Sequence, residues 1–409
     1  MSFFRECGRP FEEKILARLR ILTLTFPFVR RDKIPLNLIA NYLSPIAVVL
    51  ASSSRPKSAP SPSLPMGNLK TWLQDLSQRI IDGDRLSRED ALRLTAIEGE
   101  ENILLLCEAA DRIRQACCGN VVDLCSIINV KSGNCSENCG FCSQSSHHPG
   151  EDSPVYGLKT QAEILEQAKA AAAAGAKRFC LVSQGRGPKY NSPKDREFEE
   201  ILATVRQIIT ETAIKPCCAL GEVTPEQAQQ LRDAGVTRYN HNLEASANYY
   251  DKIVSTHTWQ DRVDTVKNLK EAGIQACTGG ILGMGETWED RVDLALSLRE
   301  LEVESVPLNL LNPRAGTPLG NVDKLTPYEA LKAIAIFRFI LPQQIIRYAG
   351  GREAVMGELQ SLGLKAGINA MLVGHYLTTL GQPPEQDQQL LASLGLEGGE
   401  APIPGEYQS

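Results

Sequence analysis

Between residues 121 and 373 the chain repeats one alternation eight times: a short run rich in Val, Ile, Cys and Asn, then a helical pattern. The strand-like runs lie near 121–128, 178–183, 215–219, 237–243, 274–279, 304–310, 344–348 and 368–373. Thr160–Ala174 and Trp259–Ala272 are examples of the helical stretches between them. A strand, a helix and another strand can share a sheet only if the strands are parallel, so the fold class is α/β. Eight such units predict closure into a (β/α)8 barrel of the TIM type. Two helical segments are expected ahead of the first strand, starting near Asn68. The alanine run Ala170–Gly175 is read as helix packing. The barrel is expected over 66–400, with 401–409 as a C-terminal tail.

On this map the run Cys135-Ser-Glu-Asn-Cys139-Gly-Phe-Cys142 falls on the loop after the first strand. That loop opens at the C-terminal mouth, where such barrels carry their chemistry. Thiolates are soft ligands suited to iron–sulfur clusters. Three of them on one loop can hold three irons of a 4Fe–4S cube and leave the fourth iron open. The spacing C-x-x-x-C-x-x-C, with an aromatic residue before the third cysteine, resembles the loop of radical S-adenosylmethionine enzymes. In that superfamily the open iron binds S-adenosylmethionine, whose cleavage releases a 5′-deoxyadenosyl radical. A structural zinc site would want four ligands, usually as two C-x-x-C pairs. Only one triplet is present, although His147 and His148 follow it and offer a fourth ligand for that reading.

Eleven of the twelve cysteines fall between Cys107 and Cys277. Such clustering in a chain of 409 residues points to metal rather than a disulfide framework, and thiolate clusters point to the reducing cytosol. The net charge of −6 is unevenly spread. Residues 1–65 hold ten Lys/Arg and four Asp/Glu, while the remainder holds 33 and 45. An acidic body argues against nucleic acid as the main partner. The basic extension begins amphipathic and is uncharged over 34–54, a run broken by Pro35, Asn37, Asn41 and Pro45 that makes a poor membrane span. A Ser/Pro-rich linker follows, and then Met66. Three readings stay open for 1–65: an upstream start that biology does not use, an organellar targeting peptide, or a disordered tail or tether.

Three further cysteines sit on expected strands: Cys180 on the second, Cys217 on the third and Cys277 on the fifth. Barrel strands alternate inward and outward side chains, so all three can face the lumen as a ring for a second cluster. The plainer reading is that each is a small buried hydrophobe. Cys218 should face the other way and pack. Cys7, Cys107, Cys117, Cys118 and Cys125 have no usable partner spacing.

From about Met66 to about Glu397 the chain resembles the biotin synthase family. The resemblance rests on Lys131-Ser-Gly-Asn-Cys around the triplet, Arg178-Phe-Cys180 with Gly185-Arg-Gly-Pro, Cys217 four residues before Gly221, Tyr239-Asn-His-Asn-Leu, Cys277-Thr-Gly-Gly-Ile-Leu-Gly-Met-Gly-Glu, and Ile346-Arg347 ahead of Gly350-Gly-Arg-Glu. It implies a 2Fe–2S cluster held by Cys180, Cys217, Cys277 and Arg347. Without it, Arg347 reads as a buried counter-charge, because guanidinium is normally protonated. The stretch Gly279, Ile281, Gly283, Glu286 resembles the superfamily's G-x-I-x-G-x-x-E, which lines the adenine side of S-adenosylmethionine. Glu244 stands where some relatives have aspartate near the ribose. Asn242 and Asn309 resemble contacts to the ureido ring of dethiobiotin, and Thr378 and Thr379 resemble its carboxylate anchor. The implied activity is radical sulfur insertion that turns dethiobiotin into biotin, with an electron donor such as flavodoxin or ferredoxin and a homodimer. Another radical enzyme on the same barrel, resembling a mutase or a hydrogenase-maturation protein, a zinc-binding interaction protein and a non-catalytic cluster scaffold are the rivals.

Overall fold

The computed structural model describes residues 68–148, 153–188, 196–379 and 381–406. The expectations for 1–65 and for Cys7 lie outside the described residues.

Among the described residues the strands are β1 (Val121–Lys131), β2 (Arg178–Ser183), β3 (Lys215–Ala219), β4 (Arg238–Asn240), β5 (Gln275–Cys277), β6 (Gly280–Leu282), β7 (Ser305–Leu310), β8 (Ile345–Tyr348), β9 (Ala370–Leu372) and β10 (Glu397–Gly399). All pairings between them are parallel, and β9 pairs with β1, which closes the sheet into a barrel. Eight barrel positions result, because β5 and β6 are two halves of the expected fifth strand, both paired with β7, and β10 pairs with β1 alone, outside the ring. The break falls at Thr278–Gly279. A Cβ on Gly279 would come within 2.0 Å of the Pro307 carbonyl oxygen, so only glycine lets the chain pass β7 there.

The helices between strands start where the sequence provides a cap. Thr160, Thr224, Thr258 and Thr287 each close a capping box with the residue three positions on. Two expectations needed revision. Among the described residues three helices, not two, precede β1: Leu69–Ile81, Arg88–Thr95 and Glu100–Cys118. Gly99, at φ 85°, separates the last two. The strand β10 was not foreseen. It is Glu-Gly-Gly and has no hydrophobic alternation to read, yet it pairs with residues 121–123 of β1.

Side-chain parity then divides the interior. On β1 the even positions Val122, Leu124, Ile128 and Val130 join the main core between sheet and helices. The odd position Cys125 joins Cys180, Cys217 and Ala219 in a separate lumenal cluster. Cys218 packs in the outer core, opposite to its neighbour Cys217, as alternation requires. Ala401 is buried against Ile345 and Ala370, so the packed chain runs past residue 400 into the expected tail.

Candidate functional site

The triplet loop leaves β1 at the mouth and is tied down from several directions. Cys135 donates its backbone N–H to the Gln144 carbonyl at 2.9 Å, and Gly140 donates to that of Ile253 at 2.8 Å. The Asn138 side-chain oxygen accepts from the backbone N–H groups of Ser255 (3.0 Å) and Thr256 (3.2 Å). His147 and His148 donate through Nε2 to the carbonyls of Ser136 and Cys139, at 3.0 and 2.9 Å. Those ring nitrogens therefore hold backbone and are not placed as a fourth metal ligand. Cys135 and Cys139 are buried and Cys142 is half-buried. Burial pushes all three thiols up, Cys139 to about 12 and Cys142 to about 11. A cation beside them reverses that preference, since a coordinating thiol is deprotonated outright.

Behind the loop lies a polar chain that the sequence reading missed. Glu137 contacts His257 Nδ1 at 2.9 Å. Arg262 reaches His257 Nε2 at 2.9 Å, the Tyr250 hydroxyl at 2.5 Å and the Asn242 carbonyl at 3.0 Å. Its members lie up to 125 positions apart in sequence, and no spacing announces them. Glu244 lies beside Arg262, buried and at φ 65°. Burial, the larger influence, raises its carboxyl despite Arg262 and Asn242, and Oε2 has no partner among the described residues. Such a group is placed to accept from the hydroxyls of a ligand.

Deeper in the barrel the three strand cysteines face one cavity of about 330 Å³, as alternation predicted. Cys180 and Cys217 are direct neighbours in the β2–β3 register, and Cys277 stands beside Asn240 across β4. The interaction between the two thiols raises Cys180 and lowers Cys217. Arg347 lines the same cavity, but its guanidinium bonds to the Asp123 carboxylate and to the carbonyls of Asp123 (3.2 Å) and Met371 (3.1 Å). Burial, the largest single influence, disfavours the charge on Arg347, yet Asp123 together with Cys125 and Cys277 outweighs it and raises the pKa. Asp123 is also 3.6 Å from Arg238. Burial alone would raise its carboxyl, but Arg347 and Arg238 hold it below the usual range.

Cys142, Asn242, Ile281, Asn309, Thr378 and Thr379 line the cavity between mouth and floor. The rest of the G-x-I-x-G-x-x-E stretch does something else. Glu286 accepts from the backbone of Gly283 (2.8 Å) and Met284 (2.7 Å) and takes Arg291 at 2.6 Å. A Cβ on Gly283 would meet Leu325 at 2.9 Å. These residues answer neighbouring chain and shape the turn, while Ile281 faces the cavity.

The donor sets fit iron–sulfur clusters. Among the described residues no three His, Cys, Asp or Glu side chains converge on a point that would hold one ion. A cluster asks for sulfurs spread around its faces, and each set supplies soft thiols in a largely buried place. Among the described residues the Nε of Arg347 and Oδ2 of Asp123 also have no partner, which leaves unsatisfied polar groups beside the deeper set.

Known proteins agree with this arrangement. The Radical SAM superfamily profile matches residues 129–298, and that of the Biotin and Thiamin Synthesis associated domain matches 307–397. A biotin synthase from Synechocystis sp. is 87% identical over 362 residues, covering 88% of this chain and 100% of the relative. One from Picosynechococcus sp. is 78% identical over 86% of this chain and 96% of its own length. Among solved structures, methylornithine synthase superposes with a TM-score of 0.69 over 79% of this chain and 97% of its own. At 21% identity that likeness speaks for the fold alone. With both profiles in chain order and full-length relatives at such identity, the chain belongs to the biotin synthase family.

Proposed function

We propose that the cavity converts dethiobiotin to biotin by radical sulfur insertion. The observation that supports this most is one continuous lumen with Cys142 at its mouth and Cys180, Cys217 and Cys277 deeper in. In this reading Cys135, Cys139 and Cys142 hold a 4Fe–4S cluster. Cys180, Cys217 and Cys277 hold a 2Fe–2S cluster, with Arg347 as the fourth group of that site. When bound, the two clusters and S-adenosylmethionine would supply the radical and the sulfur.

The protein's own contribution is placement and insulation. Glu244 and Ile281 face S-adenosylmethionine, and Gly279, Gly283 and Glu286 set the turn that carries Ile281. Asn242 and Asn309 present amides whose donor and acceptor match a ureido ring. Thr378 and Thr379 offer hydroxyls to a carboxylate. A fixed target carbon gains from orientation, and apolar walls exclude competing hydrogen donors and water. The reading brings with it a one-electron donor such as flavodoxin or ferredoxin, a homodimer and a cytosolic setting. No helix among the described residues is long and apolar enough to cross a membrane.

The test is anaerobic reconstitution with iron and sulfide, then reductant, S-adenosylmethionine and dethiobiotin, with 5′-deoxyadenosine and biotin followed by mass spectrometry. Formation of both products is expected. 5′-Deoxyadenosine without biotin, from protein shown to hold both clusters, would overturn the substrate assignment.

A further inference from the structure

The loop that carries Thr378 and Thr379 is fastened from both sides. It begins just after β9, at Gly374, and Gly381 stands so close that a Cβ there would lie 2.0 Å from the Gly374 carbonyl oxygen. Between them Tyr376 donates its backbone N–H to the Thr379 carbonyl at 3.0 Å. On the β1 side the Asn129 side chain donates to the Leu377 carbonyl at 3.3 Å. On the other side the fastening is the Tyr376 hydroxyl. It accepts from Arg352 Nε at 3.2 Å and donates to the Glu353 carboxylate at 2.8 Å.

Arg352 is a firm post for that hydroxyl. It is 1% exposed, and its Nη2 donates to both carboxylate oxygens of Asp387 at 2.8 Å. Asp387 is itself buried, on the helix Pro384–Ser393, and also accepts from Gln382. Tyr376 is half-buried and lines the cavity together with Leu377, Thr378 and Thr379.

We propose that Tyr376 is the positioning residue of the carboxylate anchor: its hydroxyl ties the loop to Arg352 and Glu353 and so holds Thr378 and Thr379 at the cavity wall. This rests on the reading of those two threonines as the anchor for the carboxylate of dethiobiotin.

Two hydroxyls answer one carboxylate only when the backbone presents both toward one point. A loop free to move would have to be ordered by the substrate on binding, at a cost to affinity. Tyrosine suits the task because its rigid ring has two side-chain torsions and its hydroxyl both accepts and donates. It can therefore bond a guanidinium and a carboxylate at once, and bonds to charged partners are the strong ones. The same bonds keep it from contacting the substrate carboxylate itself. Its single proton goes to Glu353, and none is left to donate.

The experiment uses the full chain reconstituted anaerobically with iron and sulfide, as wild type, Tyr376→Phe and Tyr376→Ala. Tyr376→Phe keeps the ring in the wall, and Arg352 keeps Asp387 and Glu353, so an intact fold is expected. Three concentrations are read: dethiobiotin at half-maximal biotin formation, the carboxamide of dethiobiotin that halves that rate as competitor, and S-adenosylmethionine at half-maximal 5′-deoxyadenosine formation. For Tyr376→Phe the dethiobiotin value is expected to rise about tenfold, the size of one lost bond to a charged group. The carboxamide value should rise less, because it lacks the charge that the anchor answers, and the S-adenosylmethionine value should stay. Tyr376→Ala should raise the dethiobiotin value further. An unchanged dethiobiotin value in Tyr376→Phe would overturn the proposal. Equal rises for dethiobiotin and the carboxamide, or a matching rise for S-adenosylmethionine, would overturn it too, since Tyr376 would then support packing in general. Wild type that forms 5′-deoxyadenosine without biotin would instead overturn the substrate reading beneath it.

Discussion

At the mouth of the barrel three thiols hang within eight residues of one loop, whereas deeper in the lumen four thiols arrive on four separate strands. The two places are built by different means. The loop is held by hydrogen bonds from polar partners: Asn138 to the 255–256 turn, Glu137 to His257, and Gly140 to Ile253. The deeper set is held by strand register and by apolar and charged burial, with Cys180 fixed opposite Cys217 and Arg347 fixed on Asp123. A loop site is specified by spacing along the chain. A lumenal site is specified by topology, and its members need bear no relation to one another in sequence.

The sharpest way to break this comparison is to remove one thiol from each place. Cys139→Ala is expected to abolish S-adenosylmethionine cleavage, because two loop thiolates cannot hold the cube, and biotin is lost with it. Cys217→Ala is expected to leave cleavage in place and stop sulfur insertion. The check is 5′-deoxyadenosine and biotin measured together on reconstituted protein. Full cleavage by the Cys139 variant would undo the mouth assignment, and an unchanged biotin yield from the Cys217 variant would remove it from the second site.

Next in size is the charge arrangement at the floor. Asp123→Asn leaves Arg347 and Arg238 buried without their shared counter-charge. Breaking a buried ion pair from one side typically costs about 3–5 kcal/mol, and a drop in the urea midpoint of that order is expected. An unchanged midpoint would mean that Asp123 is not the counter-charge of these two guanidinium groups in the native protein.

The same contrast explains what was legible in the sequence. All eight barrel positions could be read, because the strands are apolar on their outer face and five of the helices between them begin at a threonine cap. The triplet was legible because one loop fixes its spacing. Cys180, Cys217 and Cys277 followed once strands and alternation were known. Cys125 was passed over, although the signal was there: it shares parity with Asp123 and Ile127, and the even residues of β1 are the apolar outer set. Reading parity on the first strand would have found it. The network of Glu137, His257, Arg262 and Tyr250 had no such signal, since its members are gathered only by the packing of distant loops. The acceptor role of Glu286 was likewise hidden, because a motif gives residue types and not the direction a carboxylate faces.

The smallest effect concerns the loop's own support. Burial alone would raise the Glu137 carboxyl, but hydrogen bonds from Thr256 and Ser136, together with His257, outweigh it and hold it below its usual value of 4.5. A carboxylate lowered on folding stabilises the native state at every pH above its unfolded value, and that contribution is lost as pH falls through the lower folded value. Hydrogen bonds to a charged group are worth about 1.5–3 kcal/mol, so Glu137→Gln is expected to lower stability at pH 7 by about that amount. The deficit should then shrink as the pH drops below 4.5, where the wild-type carboxylate becomes protonated and forfeits the same bonds. Urea midpoints of the two proteins between pH 7 and pH 3.5 measure this gap. A gap that stays constant across the range would show that Glu137 supports the loop through shape rather than charge. The mouth would then be held as the floor is, by packing, and the contrast between the two places would narrow to one of spacing alone.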